Sequence, residues 1–204
     1  MSPVEIETPH GLARAHVRRS ESSGAALVLG HGAAGGVTAP DIVAAAGAAG
    51  AEGFAVALVE QPYRVAGRRA PAPARQLDAA WIAVVEHLLG GELRALPLVV
   101  GGRSLGARVA CRTAAETAAV GVLCLAFPLQ PRRKTNPPPS RLAELDAVAV
   151  PTLVVQGERD PFGIPPPGLQ REVAIVPGDH NLRADLDAVS AAVGSWLRSL
   201  AAAG

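Results

Sequence analysis

Gly102-Arg103-Ser104-Leu105-Gly106 sets a serine between two glycines, each two residues away. A serine hydroxyl becomes a nucleophile when a base takes its proton and fixed donors receive the charge that develops on the attacked carbonyl. A serine on a tight strand-to-helix turn meets the second need, because the first turn of a helix carries N–H groups without intrahelical acceptors. Small neighbours let such a turn close. The plain alternative is an ordinary strand-helix turn in which Ser104 only caps the helix.

The base must come from elsewhere. Of the five histidines, His180 lies in Pro177-Gly178-Asp179-His180, just after a predicted strand and before the final helix. His10 and His16 lie near the N-terminus, and His87 lies on a predicted helix. Lys134 is the sole lysine among 19 basic residues and sits in a Pro-rich loop, which disfavours a Ser–Lys pair.

A carboxylate is needed to orient the imidazole and stabilise its protonated form. Asp160, in Gln156-Gly157-Glu158-Arg159-Asp160-Pro161, follows the penultimate strand and is the best placed, with Glu158 as the fallback. Asp179 is adjacent to His180, so its side chain should point elsewhere. The order Ser104, Asp160, His180 is one in which a serine on such an elbow finds its partners. For the oxyanion, the Leu105 N–H lies at the helix start, and Ala33 offers a second N–H from the loop Gly30-His31-Gly32-Ala33-Ala34-Gly35. His31 reads as a prop for that loop.

The same loop spells Gly30-x-Gly32-x-x-Gly35, a dinucleotide-binding fingerprint, and Glu60 ends the next strand where a ribose-binding acid would sit. Against that reading, the helix should start near Pro40, too late for the glycines to lie at its N-terminus. It also leaves Ser104, Asp160 and His180 without a role.

Tyr63-Arg64-Val65-Ala66-Gly67-Arg68-Arg69 leaves the sheet at the same edge as Ser104. Arg64 and Arg68 there either hold a substrate carboxylate through bidentate forks or pair with Glu60 or Glu158 and pin the loop.

These side chains need a scaffold. Apolar runs at 25–30, 54–59, 97–102, 120–126, 151–156 and 172–176 read as strands. Helices are expected at 40–51, 75–89, 105–118, 141–147 and 184–200. Leu77, Trp81, Val84, Val85 and Leu88 fall on one helix face. Strand-helix alternation with continuously apolar strands predicts a mainly parallel sheet covered on both faces, an α/β architecture. Residues 4–18 read as an antiparallel edge hairpin. Loops 61–74, 128–140 and 161–168 follow strands and would build the ligand crevice. None is long enough for an interdomain linker and no internal repeat is present, so 1–204 reads as a single domain.

Composition excludes several classes. Nineteen basic and 18 acidic residues leave a net charge of +1, unlike a polybasic nucleic-acid or membrane-surface protein. Aromatics are 3%, too few for a base-stacking platform. With 49% hydrophobic and 18% charged residues the chain can bury a core rather than stay disordered. Cys111 and Cys124 read as small core residues. The first 24 residues are interrupted by charges and no run suits a membrane span, so no signal peptide is expected and a cytoplasmic location is the default.

Taken together, LVLGHGAAGG, VEQPYRVAGRRAP, VVGGRSLGARVA, LAFPLQP, PTLVVQGERDPFG and VPGDHNL resemble a small α/β-hydrolase family near the dienelactone-hydrolase-like enzymes. The same domain occurs in a vertebrate testis-expressed protein and in a subunit of the nonspecific-lethal chromatin complex. The resemblance runs from about residue 25 over nearly the whole chain. Leu105 stands where the family has methionine, and Ala107 where it has glycine.

The resemblance implies an α/β-hydrolase sheet with Ser104, Asp160 and His180 as a catalytic triad; residues 128–150, interrupted by Pro131, Pro137, Pro138 and Pro139, leave room for only a minimal cap. The expected activity is hydrolysis of a carboxylic ester, thioester or lactone through an acyl-enzyme, without metal or other cofactor. The expected partner is a small-molecule ester rather than nucleic acid or membrane. A scaffold or interaction domain with a vestigial site is the alternative.

Overall fold

The computed structural model describes residues 3–131 and 138–202. The chain opens with β1 (Val4–Thr8) and β2 (Gly11–Arg18), an antiparallel hairpin turning at Pro9 and His10. There follow β3 (Ala25–Gly30), α1 (Pro40–Ala51), β4 (Phe54–Glu60), α2 (Pro62–Val65) and α3 (Ala74–Gly90). The second half comprises β5 (Leu98–Arg103), α4 (Leu105–Arg112), β6 (Gly121–Leu125), α5 (Leu142–Asp146), β7 (Thr152–Gly157), β8 (Arg171–Val176) and α6 (Leu186–Ala202).

One eight-stranded sheet runs β1-β2-β4-β3-β5-β6-β7-β8. The pairings from β4 through β8 are parallel, and β2 is antiparallel to both its neighbours. Residues 4–18 therefore form the expected hairpin, joined to the parallel sheet through β4.

Period-2 alternation sorts the core into two layers. Leu27, Leu29, Val99, Leu123, Leu125, Leu153 and Val155 pack with the apolar sides of α1 and α6. Val28, Val100, Val122, Cys124 and Val154 point to the other face, where α3 and α4 bring Leu77, Trp81, Val84, Val85 and Val109. Both cysteines are buried there as free thiols, their Sγ atoms 3.5 Å apart. Burial on both faces is why these strands read as unbroken apolar runs.

Three elements differ from expectation. Regular helix in α4 stops at Arg112 rather than continuing to 118. The Thr113 and Thr117 hydroxyls donate to the carbonyls of Val109 and Thr113, both at 2.8 Å, and such back-bonding bends or opens a helix. One further turn then closes at Ala118, φ 50°, with Ala119 N–H on Ala114 O and Ala118 N–H on Ala115 O, the bond pattern of a left-handed helix stop. The short α2 falls in a segment expected to be loop; Pro62 at its first helical position is the local signal. α6 runs Leu186–Ala202, and its start two residues later than expected is set by Asp185, whose Oδ1 caps it by accepting the Ala188 N–H at 2.8 Å.

Between β6 and β7 the described residues include the single short helix α5. Lys134, and Pro137 of the Pro-rich loop around it, lie outside the described residues. No helix of the described residues is long and apolar enough to cross a membrane.

Candidate active site

Ser104 links β5 to α4 with φ 52° and ψ −103°, a left-handed turn that a side-chain-bearing residue adopts only when its surroundings enforce it. They do so here. The Ser104 N–H donates to Leu125 O on β6 at 2.9 Å. The flanking glycines let the turn sit on the end of β3. A Cβ on Gly102 would lie 2.6 Å from Gly30 O, and one on Gly106 would lie 2.5 Å from the same oxygen. Both glycines of the pentapeptide are thus required by close backbone packing.

The three residues separated in sequence converge. His180 Nε2 lies 3.0 Å from Ser104 Oγ, and His180 Nδ1 lies 2.8 Å from Asp160 Oδ2. The carboxylate only accepts, so the Nδ1–H donates to Asp160 and Nε2 is left to accept from the serine hydroxyl. The Asp160 carboxylate is fully buried while the His180 side chain keeps 17% of its exposure. The Phe162 N–H donates to Asp160 Oδ1 at 2.8 Å, and the Phe162 ring packs on the imidazole at 4.5 Å between centroids.

The other acids are turned away. Asp179 Oδ1 accepts the Asn181 N–H at 2.9 Å, and exposed Glu158 pairs with Arg159.

The Gly32–Ala33 loop is braced from β4 and α2. His31 is buried, its Nε2 accepting the Gln61 N–H at 3.2 Å and its Nδ1–H donating to Gly32 O at 2.8 Å. Burial holds its pKa below the ordinary imidazole value, against the opposing pull of the Gly32 carbonyl. The Tyr63 hydroxyl donates to Ala33 O at 3.3 Å. His31 is therefore the prop the sequence suggested. The Leu105 N–H belongs to the first turn of α4, where no intrahelical acceptor exists.

The dinucleotide fingerprint has no support in this geometry. α1 begins at Pro40, five residues beyond Gly35, and Glu60 bonds His16 at 2.8 Å. The pinning contacts considered for Arg64 and Arg68 are not formed either. Glu60 and Glu158 face His16 and Arg159 instead. Among the described residues neither arginine has a carboxylate partner. Arg64 is half-buried and close enough for its charge to act on His31 and Tyr63, while Arg68 is exposed. No three His, Cys, Asp or Glu side chains of the described residues converge as metal ligands.

Two supporting residues carried no sequence signal. Gln156, wholly buried on β7, directs its amide nitrogen at Asp160 Oδ2 (2.8 Å), Gly163 O (2.9 Å) and Phe127 O (3.1 Å). Arg103, beside the serine, donates to His180 O at 2.9 Å.

Similar solved structures share this sheet from end to end. Est1E from Butyrivibrio proteoclasticus matches with a TM-score of 0.80 at 14% identity, over 99% of this chain and 100% of that one. A dienelactone hydrolase from Anabaena variabilis matches at 0.77 and 16% identity, over 97% and 96%. XC6422 from Xanthomonas campestris, described as an α/β serine hydrolase without lid, matches at 0.73 and 19% identity, over 97% and 94%. At these identities the likeness is one of fold. No curated protein sequence matches the chain. Residues 23–184 match the family described as Alpha/beta hydrolase domain, a span that contains the elbow, the carboxylate and the imidazole alike. The chain belongs to the α/β hydrolase family.

Proposed function

We propose that the protein is a serine hydrolase that cleaves a carboxylic ester, thioester or lactone. The observation that carries this reading is the continuous bond chain from Ser104 Oγ through His180 to Asp160, at 3.0 and 2.8 Å. It starts at a serine held in a turn that costs about 1–3 kcal/mol to maintain.

In this reading His180 Nε2 takes the Ser104 proton as Oγ attacks the substrate carbonyl carbon. The C=O electron pair moves to oxygen, which the Leu105 and Ala33 N–H groups receive. His180, now charged and steadied by Asp160, gives its proton to the departing alkoxide or thiolate. Water, deprotonated by the same nitrogen, then attacks the acyl-enzyme and releases the acid. Donors fixed in advance are what lower such a barrier, because they need not reorganise as charge forms.

The arginines refine the substrate class. Arg64 and Arg68, without a carboxylate partner among the described residues, suit a substrate that itself carries a carboxylate. The site is read as working in the cytoplasm on a small soluble molecule, without cofactor.

Labelling with a fluorophosphonate tests the reading. Wild-type protein is expected to be modified at Ser104 and the Ser104→Ala variant to remain unmodified. Modification persisting in Ser104→Ala would point to another nucleophile. A wild-type protein that never reacts would favour a fold kept for binding partners rather than for chemistry.

A further inference from the structure

Arg103 occupies the variable position between Gly102 and Ser104, yet its guanidinium is almost withdrawn from solvent, with 13% exposure. Its three nitrogens face different parts of the site. Nε lies 2.8 Å from Asp41 Oδ2 in the first turn of α1. Nη2 donates to His180 O at 2.9 Å and to Asn181 Oδ1 at 3.3 Å. Nη1 lies over Gly32 so closely that a Cβ there would be 2.8 Å away. One planar group thus touches the oxyanion loop, the helix that follows it and the backbone of the base, while its own backbone adjoins the nucleophile.

Asp41 makes the arrangement more than incidental. Its carboxylate is 1% exposed and has no aligned hydrogen bond, so the Arg103 charge is its closest compensation. Burial raises its pKa and Arg103 opposes the rise. A buried carboxylate of this kind holds its arginine firmly, because separating the two leaves the Asp41 charge buried without its counter-ion. The fork geometry of arginine suits this arrangement, since Nε and Nη2 sit at two fixed positions toward Asp41 and His180 O, whereas an ammonium concentrates its donors on one nitrogen. With 13% exposure, Nε against Asp41 and Nη2 bonded to His180 O and Asn181 Oδ1, the guanidinium is held from two sides.

We infer that the Arg103–Asp41 pair is a positioning device that fixes the His180 backbone and the Gly32–Ala33 loop relative to Ser104. Asp160 orients the imidazole ring, and Arg103 sets where the residue carrying that ring stands. The inference rests on the hydrolase reading for its effect on rate but not for its effect on geometry.

Two readouts keep those apart. The first is the rate of fluorophosphonate labelling at Ser104. The second is the downfield proton resonance of the His180 Nδ1–H bonded to Asp160, assigned by its loss in His180→Ala and independent of turnover. Arg103→Met strands Asp41 and is expected to unfold readily. The double variant Arg103→Met with Asp41→Leu removes both charges and restores the melting temperature. In that double variant labelling is expected to slow by roughly 10²-fold, the effect of a misplacement near 1 Å. The resonance should broaden or disappear. In Arg103→Ala with Asp41→Asn, which strands no charge, ethylguanidinium at non-denaturing concentration should recover part of the labelling rate, and ethylammonium less.

A double variant that labels at the wild-type rate and keeps the resonance overturns the inference and leaves the pair as stabilising alone. Wild-type protein that shows the resonance but does not label refutes the hydrolase reading. The inference is then judged by whether the resonance survives in the double variant.

Discussion

The Gln156 amide nitrogen lies 2.8 Å from Asp160 Oδ2, so the carboxylate that receives the His180 Nδ1–H on one side is held from beneath by β7 on the other. Replacing it tests whether that support matters to chemistry. Gln156→Leu keeps the volume but leaves Phe127 O and Gly163 O without their donor. Stability should fall by about 1–3 kcal/mol. The rate of ester hydrolysis should fall by roughly 10- to 100-fold if the lost hydrogen bond to a charged group appears in the barrier. Urea melts and kcat on one ester check both. An unchanged kcat with lowered stability would confine Gln156 to a structural role.

The assignment of the acid separates two neighbouring aspartates. Asp160→Asn should lower kcat by about 10⁴-fold, since the amide supports the wrong imidazole tautomer. Asp179→Asn, whose carboxylate only closes a turn onto the Asn181 N–H, should leave kcat within a fewfold of wild type. The opposite ranking would move the orienting role to Asp179.

His31 gives stability a defined pH dependence. Burial holds the folded imidazole below its ordinary value, so the unfolded chain binds the proton first as pH falls. The contribution is complete above about 6.5 and is lost as pH drops from there through the lowered folded value. Urea midpoints measured across this window should fall for wild type and fall less for His31→Gln. Parallel curves for the two proteins would show that His31 does not titrate on unfolding.

Substrate charge is read from Arg64 and Arg68. Arg64→Ala and Arg68→Ala should raise KM for anionic esters by about tenfold, the equivalent of ~1.5 kcal/mol from a charge-assisted hydrogen bond. Neutral esters should be processed as by wild type. Because neither side chain has a carboxylate partner among the described residues, melting temperatures should stay unchanged. A uniform loss on charged and neutral esters, with a lower melting temperature, would make the arginines structural.

Much of this was visible in the chain. The strands announce themselves because both faces of the sheet are covered, and the glycines around Ser104 mark a turn with no room for side chains. Asp160 and His180 are found because each follows a strand at the edge where Ser104 emerges. The Arg103–Asp41 contact is different. Its partners lie 62 positions apart in the sequence, on β5 and in the first turn of α1. Locally the one reads as a surface charge and the other as a helix-start acid. Glu60 misled for a related reason: proximity in sequence suggested the arginines, but cross-strand geometry sends its side chain to His16 on β2. Thr113 and Thr117 broke α4 through hydroxyls that compete with the helix, which hydrophobic periodicity does not register.

The bond from the Ser104 N–H to Leu125 O has a bearing on motion. It continues the β5–β6 pairing into the turn, so the serine backbone cannot relax to an ordinary conformation unless two central strands part. The Ser104 amide should therefore exchange its hydrogen with solvent only through the largest openings of the molecule, as slowly as the amides of the sheet interior, although its side chain serves an accessible site.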